Sequence, residues 1–277
     1  MKKRWYSRFT SMFNNNIYSS KRSQITIIII ISIVIVLGII IFFFVNSSNT
    51  QKDREYFEKQ GLIPSINNIQ DFIIECLNTE AKDALIKIGI QGGYNERSSK
   101  YYELQWTFIP YYYDKGTFLN PSKEKIEQEL SNYIDYNLDS CLEKINFQNF
   151  ELKYEPPSTL TKINPSETKF TTKLPVIIEH ENNKIDFNLE THPISINSSI
   201  YDIIELSKYI TESHKENKDL MCINCITEIA KEKELYVDFI AFEKDTTLVM
   251  ILENRTMEHP YIFEFLNRYE VKENSKT

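Results

Sequence analysis

Glycine is scarce in this chain, with six residues among 277. Two of the six stand side by side at 92–93, and nowhere do they form the phosphate-cradling loop of nucleotide-binding proteins. No Gly-x-Ser-x-Gly elbow occurs either, so the usual seat of a nucleophilic serine is missing. The four histidines, at 180, 192, 214 and 259, show neither His-x-x-x-His nor His-Glu-x-x-His spacing. That removes the helical arrangement of zinc hydrolases. A structural zinc site built on Cys222-Ile223-Asn224-Cys225 would need a second close pair of thiol or imidazole ligands, and the sequence has none. Carboxylates abound, but spacing singles out no acid–base pair. No catalytic, cofactor-binding or metal-ligating residue is therefore nominated, and no cofactor is expected.

Positive charge is also in short supply, except at one end. The chain carries 32 Lys+Arg against 39 Asp+Glu, a net charge of −7. Six of the basic residues (Lys2, Lys3, Arg4, Arg8, Lys21 and Arg22) precede residue 25, where there is no acidic residue. The remainder holds 26 basic against 39 acidic residues, about −13. Nucleic acid and anionic lipid both demand basic surfaces, so neither is expected as a partner of this larger part.

What the chain does possess is an uninterrupted apolar run at 25–45, ITIIIIISIVIVLGIIIFFFV, whose only polar side chains are Thr26 and Ser32. Its 21 residues suffice, at about 1.5 Å each, to cross a hydrocarbon core of about 30 Å as a helix. A cleaved secretory signal would have a shorter core and a small-residue cleavage site, whereas Phe42-Phe43-Phe44 here suits an interfacial anchor. The basic flank predicts a cytoplasmic amino terminus, with residues 46–277 outside. No second run approaches this length.

Beyond it the pattern predicts an α+β domain. Residues 46–65 read as a stalk. Ser65 is placed to cap a helix over Ile66–Ile90, with an apolar stripe of Ile66, Ile69, Phe72, Ile73, Cys76, Leu77, Ala84, Leu85 and Ile88. Gly92-Gly93 ends it. Tyr102, Leu104, Trp106 and Phe108 alternate with polar neighbours, predicting one strand over 101–113 limited by Pro110. Asn120-Pro121 opens a second helix to about Ile145. Then come a strand near 150–154, a loop marked by Pro156, Pro157 and Pro165, and strands at 168–179 and 184–190. A helix from Ser198 or Ser199 to about Glu212 follows, then a shorter one near 219–233 and strands near 235–243, 246–254 and 261–266. The expected organisation is a basic segment 1–24, a transmembrane helix 25–45, a stalk, and a domain 66–277 that could divide near 146. Its strands are expected to pair antiparallel.

Outside the cytoplasm thiols tend to oxidise, and four cysteines allow three pairings. Cys76 and Cys141 each lie on the apolar stripe of a long predicted helix, which suggests a bridge between them and a local Cys222–Cys225 pair. Four free buried thiols are the alternative. Cys-x-x-Cys also raises a redox reading, which needs the pair at the amino end of a helix, directly after a buried strand. The preceding Lys215-Glu216-Asn217-Lys218-Asp219 is instead polar. Tyr111-Tyr112-Tyr113, close to Trp106 and Phe108, either form an exposed contact surface or cover the helices.

Lys21-Arg22-Ser23-Gln24 ahead of the apolar run resembles the start of archaeal proteins with type IV pilin-like, class III signal segments. Cys76-Leu77, Ala84-Leu85, Ile88-Gly89 and Gln91-Gly92-Gly93-Tyr94 resemble a pattern in uncharacterised single-pass membrane proteins of small archaea, as do Phe263-Glu264-Phe265 and Arg268. The resemblance implies localisation and architecture, with no activity to carry over. It also implies a processing site between Ser23 and Gln24, although Ile28 and Ile29 stand where pilins have an early Glu. Three functions follow as expectations: a membrane-anchored extracytoplasmic binding or structural module with a possible protein partner at the cell surface, a pilin-like filament subunit, or an anchored hydrolase.

Overall fold

The computed structural model describes residues 31–39, 52–144, 147, 149–216, 222–253 and 261–270. The chain divides into two units, Met1–Tyr56 and Phe57–Thr277. In the first, residues 31–39 form a helix; the rest of the apolar run, Ser23 and Gln24 lie outside the described residues. Among the described residues no helix is long and apolar enough to cross a membrane.

The second unit is α+β. Residues 52–59, expected as stalk, are helical, and Phe57 is wholly buried with its ring edge-on to His180. Helix α1 spans Ile63–Ile90 with Pro64 in its first turn, so it starts ahead of the expected Ser65 cap. Proline is tolerated there because a first-turn N–H has no helical acceptor. The expected stripe is buried apart from Phe72, which is exposed beside Phe147. Gly93 N–H bonds to Ile88 O at 2.7 Å and Gly92 N–H to Gly89 O at 3.0 Å. These are the paired bonds of a Schellman stop, and both glycines have the positive φ it favours.

Helix α2, Lys123–Glu143, is capped by Ser122, whose hydroxyl accepts the Lys125 N–H, and not opened at Asn120-Pro121. Cys76 on α1 is bridged to Cys141 on α2 with Cα atoms 6.3 Å apart, joining the two stripes as expected. Helices α3, Ile200–Glu216, and α4, Ile223–Glu232, follow later.

The expected single strand over 101–113 is two: β1, Tyr101–Glu103, and β2, Phe108–Asp114, paired antiparallel. Leu104 N–H bonds to Thr107 O at 2.8 Å, which folds Gln105 and Trp106 into the turn. Pro110 lies inside β2 instead of ending it. With β3 (Thr117–Phe118), β10 (Leu235–Glu243), β11 (Thr246–Glu253) and β12 (Ile262–Arg268), these form a sheet ordered β1-β2-β12-β11-β10, β3 pairing with β2. The sheet is mixed, because β12 runs parallel to β2. All seven residues of β2 are buried, so Tyr111-Tyr112-Tyr113 are core and form no contact surface. Tyr112 stacks on Phe265 at 4.3 Å and donates its hydroxyl to Gly92 O at 2.8 Å, fastening the sheet to the end of α1.

Two three-stranded antiparallel sheets complete the unit, β4-β7-β8 and β5-β6-β9. Their strands are β4 (Glu151–Tyr154), β5 (Ser158–Ile163), β6 (Glu167–Lys173), β7 (Pro175–His180), β8 (Asn183–Asn188) and β9 (Ile194–Asn197). The expected strand 168–179 is thus broken at Leu174 and shared between two sheets, and the expected loop before Pro165 contains β5. The cause of β5 lies on α2. Glu127, Ser131 and Asp135, one helical turn apart, accept the backbone N–H groups of Ile163, Thr161 and Thr159 at 3.0, 3.1 and 2.7 Å. A polar helix stripe thereby satisfies the free edge of a sheet that would otherwise be unpaired.

Candidate functional site

A cleft of about 410 Å³ opens where the end of α1, the loop after it and the β1–β2 turn converge. That volume falls within the ~300–1,000 Å³ usual for small-molecule sites. Lys87 and Gln91 line it from α1, Asn95, Glu96 and Arg97 from the loop, and Glu103 and Gln105 to Phe108 from the hairpin.

Each wall is held from behind. The Schellman stop turns the chain out of α1 directly after Gln91, the helix C-cap. A Cβ at Gly92 would stand 2.5 Å from Glu264 O, so only glycine lets the helix end approach β12. The loop is pinned by Glu129 of α2, buried at 2% exposure, whose Oε2 accepts Asn95 N–H at 2.8 Å and Glu96 N–H at 3.1 Å. Lys125 Nζ balances that carboxylate at 2.6 Å. Tyr94, beside it, donates its hydroxyl to Leu119 O, and burial, then the charge of Glu129, push its pKa up to about 12. The hairpin is tied to the helix by Gln91 Nε2–H donating to Thr107 Oγ1 at 3.0 Å.

The charges along the cleft cancel. Arg97 grips Glu103 through two N–H bonds of 3.0 and 2.8 Å, which hold the Glu103 carboxyl below its ordinary range. Lys87 Nζ lies 5.0 Å from the centre of the Tyr133 ring, a cation–π contact. Two residues stand out. Gln91 is only 5% exposed, and its Oε1 has no hydrogen-bond partner among the described residues. Trp106, at the tip of the turn, is 92% exposed. A buried acceptor without a partner is costly, and its meeting with an open indole in one cleft makes this the candidate site.

Of the apolar residues singled out by spacing, Trp106 and Phe108 lie in this cleft, the former expected within a strand. Its turn could not be read because Leu104-Gln105-Trp106-Thr107 contains none of the usual turn residues and the alternation runs straight through. Cys222 and Cys225 are bridged as expected, with Cα atoms 5.3 Å apart. Cys222 caps α4, and its Sγ accepts Cys225 N–H at 3.3 Å, so the pair does sit at a helix amino end. The residues before it, 217–221, lie outside the described residues. His192 is exposed, whereas His214 is buried, stacked on Tyr113 at 4.9 Å. His259 lies outside the described residues. Among the described residues no group of three or more His, Cys, Asp or Glu could hold a metal ion.

A second cavity of about 370 Å³ lies between the start of α2 and α3, near Lys123, Tyr201 and Lys208. Lys123 there is engaged by Glu127 at 2.8 Å, and the walls hold neither an exposed tryptophan nor an orphaned buried acceptor. No protein family, curated protein or solved structure matches this chain.

Proposed function

We propose that this protein is a membrane-anchored extracytoplasmic binding module, with residues 25–45 held in the bilayer and the cleft between α1 and the β1–β2 turn as its binding site. The observation that carries the binding reading is the pairing of Trp106 with the orphaned Gln91 Oε1 in a preformed, braced cleft. Nothing comparable favours a hydrolase: in the cleft Glu103 is committed to Arg97, and no nucleophile stands beside a base.

The anchor reading draws support from residues 31–39. Ile31, Ile33, Val34, Ile35, Val36, Leu37 and Ile39 are 51–62% exposed on every side of their helix. A helix that is apolar all round belongs in lipid or in a core, not in water. The six basic residues before it set the direction.

Carbonate extraction of membranes, followed by protease treatment of intact cells, tests the anchor and its direction. The chain stays in the membrane pellet, and protease outside the cell removes the Phe57–Thr277 unit. Release by carbonate, or full protection in intact cells, refutes the reading. Amino-terminal sequencing of the same material separates the pilin-like alternative. A chain beginning at Gln24 would favour a processed filament component, and an uncut leader removes it.

A further inference from the structure

We infer that the ligand of this cleft is a neutral saccharide, stacked on Trp106 and hydrogen-bonded to Gln91. The inference rests on the reading of the Phe57–Thr277 unit as a binding module and adds the chemistry of its ligand.

Three features of the cleft select the class. Its charges balance, Lys87 and Arg97 against Glu96 and Glu103, and Arg97 is already matched to Glu103 in a two-bond fork. A ligand of either charge would have to break that pairing or approach a like charge, so a neutral one fits. The remaining polar groups, Asn95, Gln105 and Gln91, are amides, and Gln91 Oε1 specifically lacks a donor. Amides present donors and acceptors together, which suits hydroxyl groups, since each hydroxyl is itself both. Finally, Trp106 offers an open indole face at the rim. The π face is electron-rich and attracts the polarised C–H groups on the flat side of a sugar ring. An apolar face ringed by hydroxyls is the outline of a pyranose. A purely apolar ligand would leave the amides unpaired, and a peptide would find only the three-residue edge of β1 to pair with at the cleft wall.

The cleft is also prepared in advance. Glu129, Tyr94 and the Gln91–Thr107 bond hold its three walls without a ligand, so binding requires little ordering of the chain. Gln91 Oε1 is shielded in the empty cleft, so turning that amide outward is the one adjustment by which a sugar hydroxyl supplies the donor it lacks.

The test uses the full-length chain with Trp5→Phe, leaving Trp106 as the lone indole, purified in a detergent without a sugar headgroup. Trp106 fluorescence and calorimetry follow titration with neutral gluco-, manno-, galacto- and N-acetylglucosamine oligosaccharides, an oligouronate, and a mixed peptide pool. At least one neutral oligosaccharide binds, Trp106→Ala weakens it tenfold or more, and Trp106→Tyr retains it within a few-fold. Gln91→Met weakens it as well, while the thermal midpoint of the exposed Trp106→Ala variant stays unchanged. If the oligouronate or the peptides bind in a Trp106-dependent way and neutral sugars do not, the saccharide assignment is wrong and the binding module stands. If a total cell-envelope extract also leaves Trp106 fluorescence and its oxidation by N-bromosuccinimide unaltered, both readings fail.

Discussion

At the scale of single residues, the two disulfides show how position decides what a cystine does. Cys76 is buried in the seam between α1 and α2, and its bridge closes 65 residues of chain. Loop-closure entropy gives such a bridge up to about 4 kcal/mol of stabilisation. The Cys222–Cys225 bridge spans three residues on the surface, where the same argument gives far less. Its Cys222 sulfur also accepts a backbone N–H at the start of α4, where the helix dipole favours a thiolate. Millimolar glutathione is therefore expected to open 222–225 while 76–141 stays closed. Mass-spectrometric mapping after timed alkylation reads the order directly. Removing the pairs by serine substitution separates them again, with a large fall in thermal midpoint for Cys76→Ser/Cys141→Ser and a small one for Cys222→Ser/Cys225→Ser. Equal reduction rates would contradict the assignment.

Among elements, helix α2 carries two stripes and both are used. Ile126, Leu130, Ile134 and Leu138 form the apolar one, which periodicity makes plain. The polar one, Glu127, Ser131 and Asp135, reads in the sequence as an ordinary solvated face, yet it closes the edge of β5. Ser131 Oγ also donates to the Glu127 backbone O at 2.9 Å and lies 2.8 Å from Thr161 Oγ1. Ser131→Ala leaves the buried Thr161 N–H without its acceptor, at a cost of about 1–3 kcal/mol. In a domain of this size that lowers the melting midpoint by roughly 2–4 °C per kcal/mol. A midpoint within a degree of the parent would mean that β5 is held by its pairing with β6 alone. This dependence explains why β5 could not be foreseen. Its Ser158-Thr159-Leu160-Thr161-Lys162 stretch has little apolar alternation, and its edge is satisfied by side chains about 30 positions earlier.

For the molecule as a whole, buried carboxylates join segments far apart in sequence and make stability depend on acid. Asp114 on β2 is bound by Arg268 of β12 at 2.6 Å and by Lys100. Glu127 is bound by Lys123, Lys162 and the Ile163 N–H. Burial pushes both carboxyls up, and the hydrogen bonds from their cationic and backbone donors outweigh it, leaving both below their ordinary values of 3.8 and 4.5. The unfolded chain therefore takes up protons that the folded one refuses. The stability these pairs contribute is complete above those ordinary values and is lost as pH falls through the lowered folded ones. Burial raises Asp135 and Glu264 instead, and they act in the opposite sense, so the effect is best isolated by difference. Between about pH 5 and pH 3 the midpoint of Glu127→Gln is expected to fall less steeply than that of the parent. Parallel curves would show that Glu127 does not carry this dependence.

Local physics by itself determined the apolar run at 25–45 and the charge step beside it, the three long helices and the carboxy-terminal strands. Each of these rests on periodicity, caps or composition within one segment, which the residues carry wherever they are placed. Only the tertiary structure decided that Tyr111-Tyr112-Tyr113 are core, because β2 lies inside the sheet beside β12, about 150 residues distant, with Phe265 and His214 stacked on its tyrosine rings. It decided equally that Trp106 points into solvent, since a bond between Leu104 and Thr107 overrides an alternation that reads as a single strand. The cleft belongs to this second group. It exists because Gln91 ends a helix beside a hairpin that arrives later in the chain, and an acceptor becomes an orphan only once folding has closed around it.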